Sequence, residues 1–249
     1  MTNIGNIEIQ DLFVGSNNAV WLYLGSAKVW EKSEPPAVGS PLCFTAEEAN
    51  STVAMAAHGS APEVSLEYST DGSTWSPFVV GTTTVTLANI GDKVYVRATS
   101  AGNTGIGDSV SNYNKFVMTG KIGASGNVDT LLDQNGNATL TSYCYQSMFS
   151  GCSSLTTAPT LPATTLSSNC YANMFNSCTS LTQAPALPAT TLADYCYSGM
   201  FSGCSSLTTA PSLPATTLAY GCYQSMFYGC TALTTAPSLP ATTLANNCY

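Results

Sequence analysis

The chain has 249 residues, a net charge of −8 and only 8% charged residues, and its last basic residue is Lys121. Nucleic acid and anionic lipid both need clustered Lys and Arg for binding, so this composition excludes nucleic acid as a partner and offers no basic patch to a membrane surface. No apolar run reaches the roughly 18 residues of a membrane span, which excludes membrane insertion.

Residues 1–34 are predicted to form an N-terminal β anchor segment. Val20–Leu24 and residues 27–30 are β-rich runs that flank Gly25-Ser26, and a two-residue connection of this kind predicts a β-hairpin. An isolated hairpin is marginally stable in water, so we expect this aromatic-rich segment to dock on a partner or on copies of itself. Packing on the next domain is the alternative. The candidate anchor residues are Trp21, Tyr23 and Trp30.

Residues 35–41 are rich in Pro and Gly and are predicted to be a linker. Residues 42–126 then carry several short runs in which polar and apolar residues alternate, with turn signals such as Asp71-Gly72 between them. The run at 92–98 is the clearest, because its apolar residues all fall on one face of a strand. This rhythm predicts an immunoglobulin-like antiparallel β-sandwich, so the chain as a whole is expected to be mainly β.

Residues 127–249 are predicted to form a solenoid with 26-residue coils. The segment Leu-Pro-Ala-Thr-Thr-Leu starts at 161, 187, 213 and 239, and a fixed period of this length is typical of repeats that stack on one another. Within a coil, 171–178 is expected to be a helical turn or a 3₁₀ segment. We assign 127–143 to an N-terminal cap and 144–247 to four full repeats, and the sequence stops in a fifth. Because an uncapped coil leaves unpaired edges, we expect the natural chain to continue or another subunit to cover this end.

The cysteines of the repeats recur in two columns that lie eight residues apart in the sequence. Metal-binding cysteines are usually about two to four residues apart with His or more Cys nearby, so no metal site is predicted. We predict buried, reduced thiols that fill a narrow core together with Phe; stacked copies would be close enough for disulfides, but oxidation is not required. The predicted structural core ladder consists of Cys144, Cys152, Cys170, Cys178, Cys196, Cys204, Cys222, Cys230, Phe149, Phe175, Phe201 and Phe227.

The residues that differ between repeats are predicted to point to solvent. Most of them are the three positions before each Cys-Tyr pair, and tyrosines there would offer flat surfaces to a sugar or a protein. Neutral drift of surface residues is the alternative. The candidate exposed ligand face consists of Asn169, Asp194, Tyr195, Tyr220, Asn246 and Asn247.

No catalytic residue and no cofactor is predicted, so the protein is not expected to be an enzyme. His58 is the only histidine and lies in a predicted turn. Glu47 and Glu48 are adjacent, so on a strand they would face opposite ways. Oxygen-bearing residues alternate over 129–137 as in a calcium loop, but the closing Glu of such a loop is missing.

The repeat resembles the BspA-like leucine-rich-repeat family, whose coils carry an aromatic residue shortly before a Cys, then Leu, then Leu-Pro. In the second repeat these positions are Phe175, Cys178, Leu181 and Leu187-Pro188. The unit here is longer than the family's, because a Thr-x-Ala-Pro segment is inserted. The resemblance implies a leucine-rich-repeat solenoid that builds an extracellular recognition or adhesion surface.

Residues 22–30 also look like the opening segments of tailed-phage virion proteins. The order of anchor, immunoglobulin-like module and exposed distal domain is similar to that of head fibres and tail fibres of gut phages, including the crAss-like group. This resemblance implies a virion protein made in the host cytoplasm, which agrees with an N-terminus that lacks signal-peptide features. It also implies attachment to other virion proteins of the capsid or tail through residues 1–34, a homo-oligomer (a trimer is expected), and contact with a host surface glycan or protein. The alternative is a bacterial cell-surface adhesin.

Overall fold

The computed structural model describes residues 39–249 throughout and, before them, the backbone of five short strands. The chain divides into two compact units, Met1–Ala37 and Val38–Tyr249. The strands of the first unit are β1 (Asn3–Ile4), β2 (Ile7–Glu8), β3 (Asp11–Val14), β4 (Val20–Leu24) and β5 (Ala27–Lys32).

In the first unit, β1 pairs with β2, and β3, β4 and β5 form a three-stranded antiparallel sheet. β4 and β5 are the two arms of the predicted hairpin, and the second arm runs on to Lys32. The backbone of Trp21 and Tyr23 lies in β4 and that of Trp30 in β5. Their side chains, and the first four residues of the predicted linker, lie outside the described residues.

The second unit begins with a set of short strands, as the alternating sequence predicted. Its elements are β6 (Leu42–Ala46), β7 (Ser51–His58), β8 (Leu66–Ser69), β9 (Ser76–Phe78), β10 (Thr84–Leu87), β11 (Lys93–Ala98), β12 (Gly107–Ser109), β13 (Asn112–Thr119), β14 (Ile122–Ser125), a 3₁₀ helix (Val128–Leu131) and β15 (Leu155–Thr157). The expectation of a mainly β chain is therefore confirmed.

Two sheets pack face to face in this unit. One has the strand order β10-β7-β13-β12, and the other has the order β15-β14-β6-β11-β8-β9. Every pair is antiparallel except β14–β15. Phe44 of the second sheet meets Phe116 of the first edge to face, with ring centroids 4.8 Å apart. The core between the sheets forms because alternate residues of each strand are buried, as in β7, where Val53 and Met55 point inward.

After the 3₁₀ helix, the repeats stack as successive coils. In the second coil, every other backbone N–H bonds to the next coil, for example Tyr171 N to Cys196 O at 3.0 Å and Phe175 N to Met200 O at 2.9 Å. The N–H groups between them bond three residues back, for example Met174 N to Tyr171 O at 3.2 Å. We call residues 167–178 and their equivalents the turn ribbon, because this pattern is a succession of overlapping β-turns.

The turn ribbon is not the helical turn or 3₁₀ segment that was expected for 171–178. Every fourth residue has a positive φ: Asn169 (56°), Asn173 (54°) and Ser177 (59°). L-residues take this left-handed conformation singly and not in runs, so each such residue interrupts a right-handed helix. The turn ribbon therefore donates half of its N–H groups to the neighbouring coil. An α-helix would instead donate them to its own carbonyl groups.

Aromatic rings stack through the interior of the coils in two columns. The Phe149, Phe175, Phe201 and Phe227 centroids are separated by 5.4, 5.7 and 5.9 Å, with interplanar angles of 7° or less. A second column runs through the Tyr of each Cys-Tyr pair, with spacings between 5.6 and 5.9 Å. The predicted ladder residues are all buried except Phe227, which is half-buried, and all ten cysteines are free thiols.

The Cys column that ends each turn ribbon has a defined hydrogen-bonding role. The thiol of Cys178 donates to Phe149 O at 3.1 Å, and the equivalent thiols of Cys204 and Cys230 donate to Phe175 O and Phe201 O at 3.0 Å. A buried carbonyl that lacks a partner is costly. A thiol is small and apolar yet still donates, so it satisfies this carbonyl without adding a strongly polar group to the core.

The β-sandwich contacts the first coil in the same way that each coil contacts the next. Phe116 N donates to Met148 O at 2.8 Å, and its ring stacks on Phe149 at 5.2 Å. The Cys152 thiol donates to Phe116 O at 3.1 Å, as later thiols do to later phenylalanines. β15 of the first coil also pairs in parallel with β14. One buried core therefore continues from Leu42 to Cys248, and the boundary placed at residues 126 and 127 from the sequence lies inside one compact unit.

We predict that serine and alanine will rank in opposite order at the two Cys columns. Cys178→Ser keeps a donor for Phe149 O, so it should be more stable than Cys178→Ala by about 1 kcal/mol. At Cys170, whose thiol has no acceptor within the described residues, serine would bury an unpaired hydroxyl and alanine should be the more stable variant. Urea unfolding of the four variants under reducing conditions measures both differences; the same order at both sites would contradict the donor role.

Candidate functional site

The positions that vary between repeats form one continuous edge of the stack. Backbone bonds join them from coil to coil: Asn169 N to Asp194 O at 3.0 Å, Tyr195 N to Tyr220 O at 2.9 Å and Gly221 N to Asn246 O at 3.0 Å. The structure therefore brings the six residues of the predicted ligand face together. We call this surface the variable edge, and its residues are Asn169, Asp194, Tyr195, Tyr220, Asn246 and Asn247.

Two tyrosines from neighbouring coils form an aromatic pair at the centre of the variable edge. The rings of Tyr195 and Tyr220 meet edge to face, with centroids 5.2 Å apart and planes 73° apart. Tyr220 remains 38% exposed. Aromatic side chains bury much area at a small cost in conformational entropy, which is why they are enriched where proteins recognise ligands and partners.

Neighbouring residues fix the geometry of this pair. Gly221 has a positive φ of 58°, and a Cβ there would lie 2.5 Å from Tyr195 Cε1, so the Tyr195 ring needs glycine at this position. The Tyr220 hydroxyl accepts from Asn247 Nδ2 at 3.0 Å, and its backbone N–H donates to Asp194 Oδ1 at 3.1 Å. The pair is held from the coil before and the coil after, which preorganises it for a ligand.

The variable edge is almost uncharged. Asp194 is the only charged residue between Cys144 and the end of the sequence. Hydrogen bonding to Tyr220 raises the pKa of the Tyr195 phenol, so the Tyr195 ring is neutral at physiological pH. The variable edge thus offers phenol and amide groups and a single carboxylate, which suit a neutral polar ligand such as a glycan or the polar surface of a protein. It has no positive charge that could bind a phosphate.

The other three predicted residues of the variable edge are asparagines. Asn169 is half-buried, and its positive φ shows that asparagine stands there partly for backbone reasons. Asn246 and Asn247 are exposed. The variable edge could be found from the sequence because its residues change while the core does not, but the contact between Tyr195 and Tyr220 depends on how far one coil is offset from the next.

Sequence reasoning missed a cleft at the start of the stack, where Asp129 is buried. Its Oδ1 accepts from the Tyr145 hydroxyl at 2.9 Å, so it does not join Asp133 in a calcium loop. Asp133 Oδ1 instead accepts from the backbone N–H of Asn135 at 3.2 Å. Among the described residues, no three His, Cys, Asp or Glu side chains converge on one point. The one sequence signal that pointed to Asp129 was the scarcity of acidic residues, because only three of them follow Lys121.

Comparison with known proteins gives no relative for this chain: no protein-family model, no curated protein and no solved structure matches it. Within the part of the chain that the structure describes, no helix has the length and hydropathy to cross a bilayer. The function must therefore be argued from the residues themselves.

Proposed function

We propose that the protein is a non-enzymatic structural protein of a phage virion, of the head-fibre, tail-fibre or decoration type, that displays the variable edge to a host surface. The observation that carries this proposal is the Tyr195–Tyr220 pair, an exposed and uncharged aromatic surface held on a stack of coils. In this proposal the ligand is a host glycan or protein, and the tyrosine faces provide most of the contact area.

The finer architecture belongs to the same proposal. The two facing sheets, antiparallel except for the β14–β15 pair, support an immunoglobulin-like sandwich, and the stacked coils support a BspA-like leucine-rich-repeat solenoid. The signature residues Phe175, Cys178, Leu181 and Leu187 are all buried, and the coils meet through parallel bridges such as Gln183 to Thr209. A solenoid of this kind is suited to display, because each coil adds surface without rearranging the others.

Attachment is assigned to the first unit. Met1–Ala37 is one of the two compact units of the chain, and in this proposal its partner is another protein. In this proposal the three-stranded sheet β3-β4-β5 docks on capsid or tail proteins and on copies of itself, and a homotrimer shares one base. The candidate anchor residues of this proposal are Trp21, Tyr23 and Trp30, which belong to β4 and β5.

The surroundings of the single histidine support a non-enzymatic role. The His58 ring stacks on Tyr113 with centroids 4.6 Å apart, and its Nδ1 lies 3.0 Å from Ser111 O. General base catalysis needs the imidazole within reach of a nucleophile or a substrate proton, and a carbonyl oxygen is neither. A bacterial cell-surface leucine-rich-repeat adhesin is the second candidate, because the same coil pattern and the same edge would serve it.

The variable edge is tested by binding of the labelled full chain to host cells and to immobilised glycans. Tyr195→Ser with Tyr220→Ser should weaken binding by roughly 30-fold or more, since central aromatic contacts dominate such interfaces. Tyr228→Ser removes an equally large ring that is 76% exposed elsewhere on the stack, and it should bind like the unmodified chain. Equal binding by all three proteins would show that recognition occurs elsewhere.

The location is tested by immunogold electron microscopy with antibodies to the full chain. Gold on purified phage particles, lost when residues 1–37 are deleted, is the expected result. Gold on the bacterial envelope in the absence of phage would replace the virion proposal by the adhesin.

A further inference from the structure

A cleft of about 400 Å³ opens beside the first coil of the stack, and it shares no residue with the variable edge. The cleft is lined by residues 136–140 and by residues 162–165 and 167, which we call its walls, and by Asp129. Asp129 is only 4% exposed. The cleft is therefore a concave site with a nearly buried carboxyl group in its lining, and small-ligand sites usually combine a concave shape with a few placed polar groups.

The local backbone holds the carboxyl group of Asp129 in place. Asp129 is in the 3₁₀ helix Val128–Leu131, and its backbone N–H donates to the capping Asn127 Oδ1 at 2.8 Å. One carboxylate oxygen, Oδ1, accepts from the Tyr145 hydroxyl at 2.9 Å. Within the described residues no donor bonds to the other oxygen, so Oδ2 is available to a ligand in the cleft.

The charge of this carboxylate has no counter-ion in the described part of the chain. The one ion pair there joins Arg97 to Glu67, and no Lys or Arg follows Lys121 in the sequence. The titratable groups that interact electrostatically with Asp129 are Cys144, Tyr145 and Tyr171, none of which carries a positive charge. The Tyr171 hydroxyl is itself buried without a partner. A buried, unpaired carboxylate is unfavourable, and a cation bound beside it would remove that cost.

The walls of the cleft offer neutral hydrogen-bonding groups with some apolar surface. Hydroxyl groups come from Thr139, Thr164 and Thr165, and an amide comes from Asn137. The Ser167 hydroxyl donates to Leu140 O at 2.7 Å, so it can only accept from a ligand. Divalent metals prefer several carboxylate ligands, and only one carboxylate is present here. Organic cations whose other groups are hydroxyls match the lining better, and a cleft of this volume has room for a sugar ring.

We infer that this cleft binds an amino sugar, with the primary ammonium group paired to Asp129 and the ring hydroxyls bonded to the threonine, serine and asparagine side chains of the walls. The inference goes beyond display by the variable edge and does not rest on it. The protein would then have two separate binding sites: this sugar-binding cleft beside the first coil, and the variable edge further along the stack.

Isothermal titration of the full chain with glucosamine at about pH 7 tests the inference, with glucose and N-acetylglucosamine as uncharged analogues of the same ring. Glucosamine should bind saturably, and both uncharged sugars should bind at least about tenfold more weakly, because a charge-assisted bond to Asp129 is lost. At about pH 5 the affinity for glucosamine should fall, since burial raises the pKa of Asp129 to about 6 and the carboxyl is then protonated.

Matched variants separate the cleft from the rest of the surface. Asp129→Asn should lose glucosamine binding by about tenfold or more, while Asp108→Asn, the same change at an exposed carboxylate of β12 that belongs to neither site, should bind normally. Thr165→Val should weaken binding and Thr191→Val, the equivalent change one coil later, should not, which tests the walls of the cleft independently of Asp129. No saturable binding, equal binding to Asp129→Asn, or equal affinity for glucose would each overturn the inference. Methylamine binding as tightly as glucosamine would overturn the role assigned to the ring.

Discussion

Phe175→Ala is expected to destabilise the protein by about 3–5 kcal/mol, one of the two largest effects predicted for a single substitution. The ring is fully buried and stacks on Phe149 at 5.4 Å and on Phe201 at 5.7 Å. Alanine would remove both stacking contacts and leave a cavity between two coils. The turn ribbon above and below is fixed by coil-to-coil backbone bonds, so the site cannot collapse to fill it.

Phe227→Ala is the matched control, because Phe227 is half-buried and stacks on Phe201 alone. It should cost about 1–2 kcal/mol, in proportion to the smaller area that the ring buries. Urea unfolding of each full-length variant, followed by circular dichroism under reducing conditions, gives the two free energies. Equal losses at the two positions would mean that the phenylalanine column is not the main core of the coils.

Asp129→Asn is expected to stabilise the protein at neutral pH by an amount on the order of 3 kcal/mol. Burial raises the pKa of Asp129 to about 6, above the usual 3.8, so the folded protein holds this proton more tightly than the unfolded chain. The stability that protonation provides is present below about pH 4 and is lost as pH rises through about 6. Asparagine is never charged, and its carbonyl can still accept from the Tyr145 hydroxyl.

Thermal or urea unfolding at a series of pH values checks this result. The unmodified protein should approach the stability of Asp129→Asn as pH falls from about 7 to about 4, because the charge that separates them disappears. Asp194→Asn, which changes an exposed carboxylate, should track the unmodified protein throughout. A gap between the unmodified protein and Asp129→Asn that stays constant with pH would contradict a titrating carboxyl at this position.

The sequence predicted features that repeat or alternate, because those depend on local periodicity. The 26-residue period, the arms of the hairpin and the strand at 92–98 are of this kind. β6 and β14 give a weaker signal, because β6 directly follows Pro41 at the end of the predicted linker and β14 contains Gly123 and Ala124, which have low β propensity. The turn ribbon was missed because a column of Asn, Ser and Gly marks positive φ only once the coil pattern is known.

Contacts between distant parts of the chain were beyond sequence reasoning. Phe116 starts the phenylalanine column 33 positions before Phe149, outside the period, so no alignment of the repeats includes it. Asp129 reaches Tyr145 across a turn whose path the sequence does not define. The variable edge was the exception, because comparison of one repeat with the next separates constant from changing positions inside a single chain.

The coil-to-coil backbone bonds of the turn ribbon run in one direction, with each turn ribbon donating N–H groups to the coil that follows it. Every coil thus presents the same pair of matching surfaces, one to its predecessor and one to its successor. Gene duplication or loss of one whole unit would leave these surfaces complementary. The number of coils, and with it the length of the stack, can therefore change in evolution by whole units. Such a change would alter neither the β-sandwich nor the residues of the variable edge in the other coils.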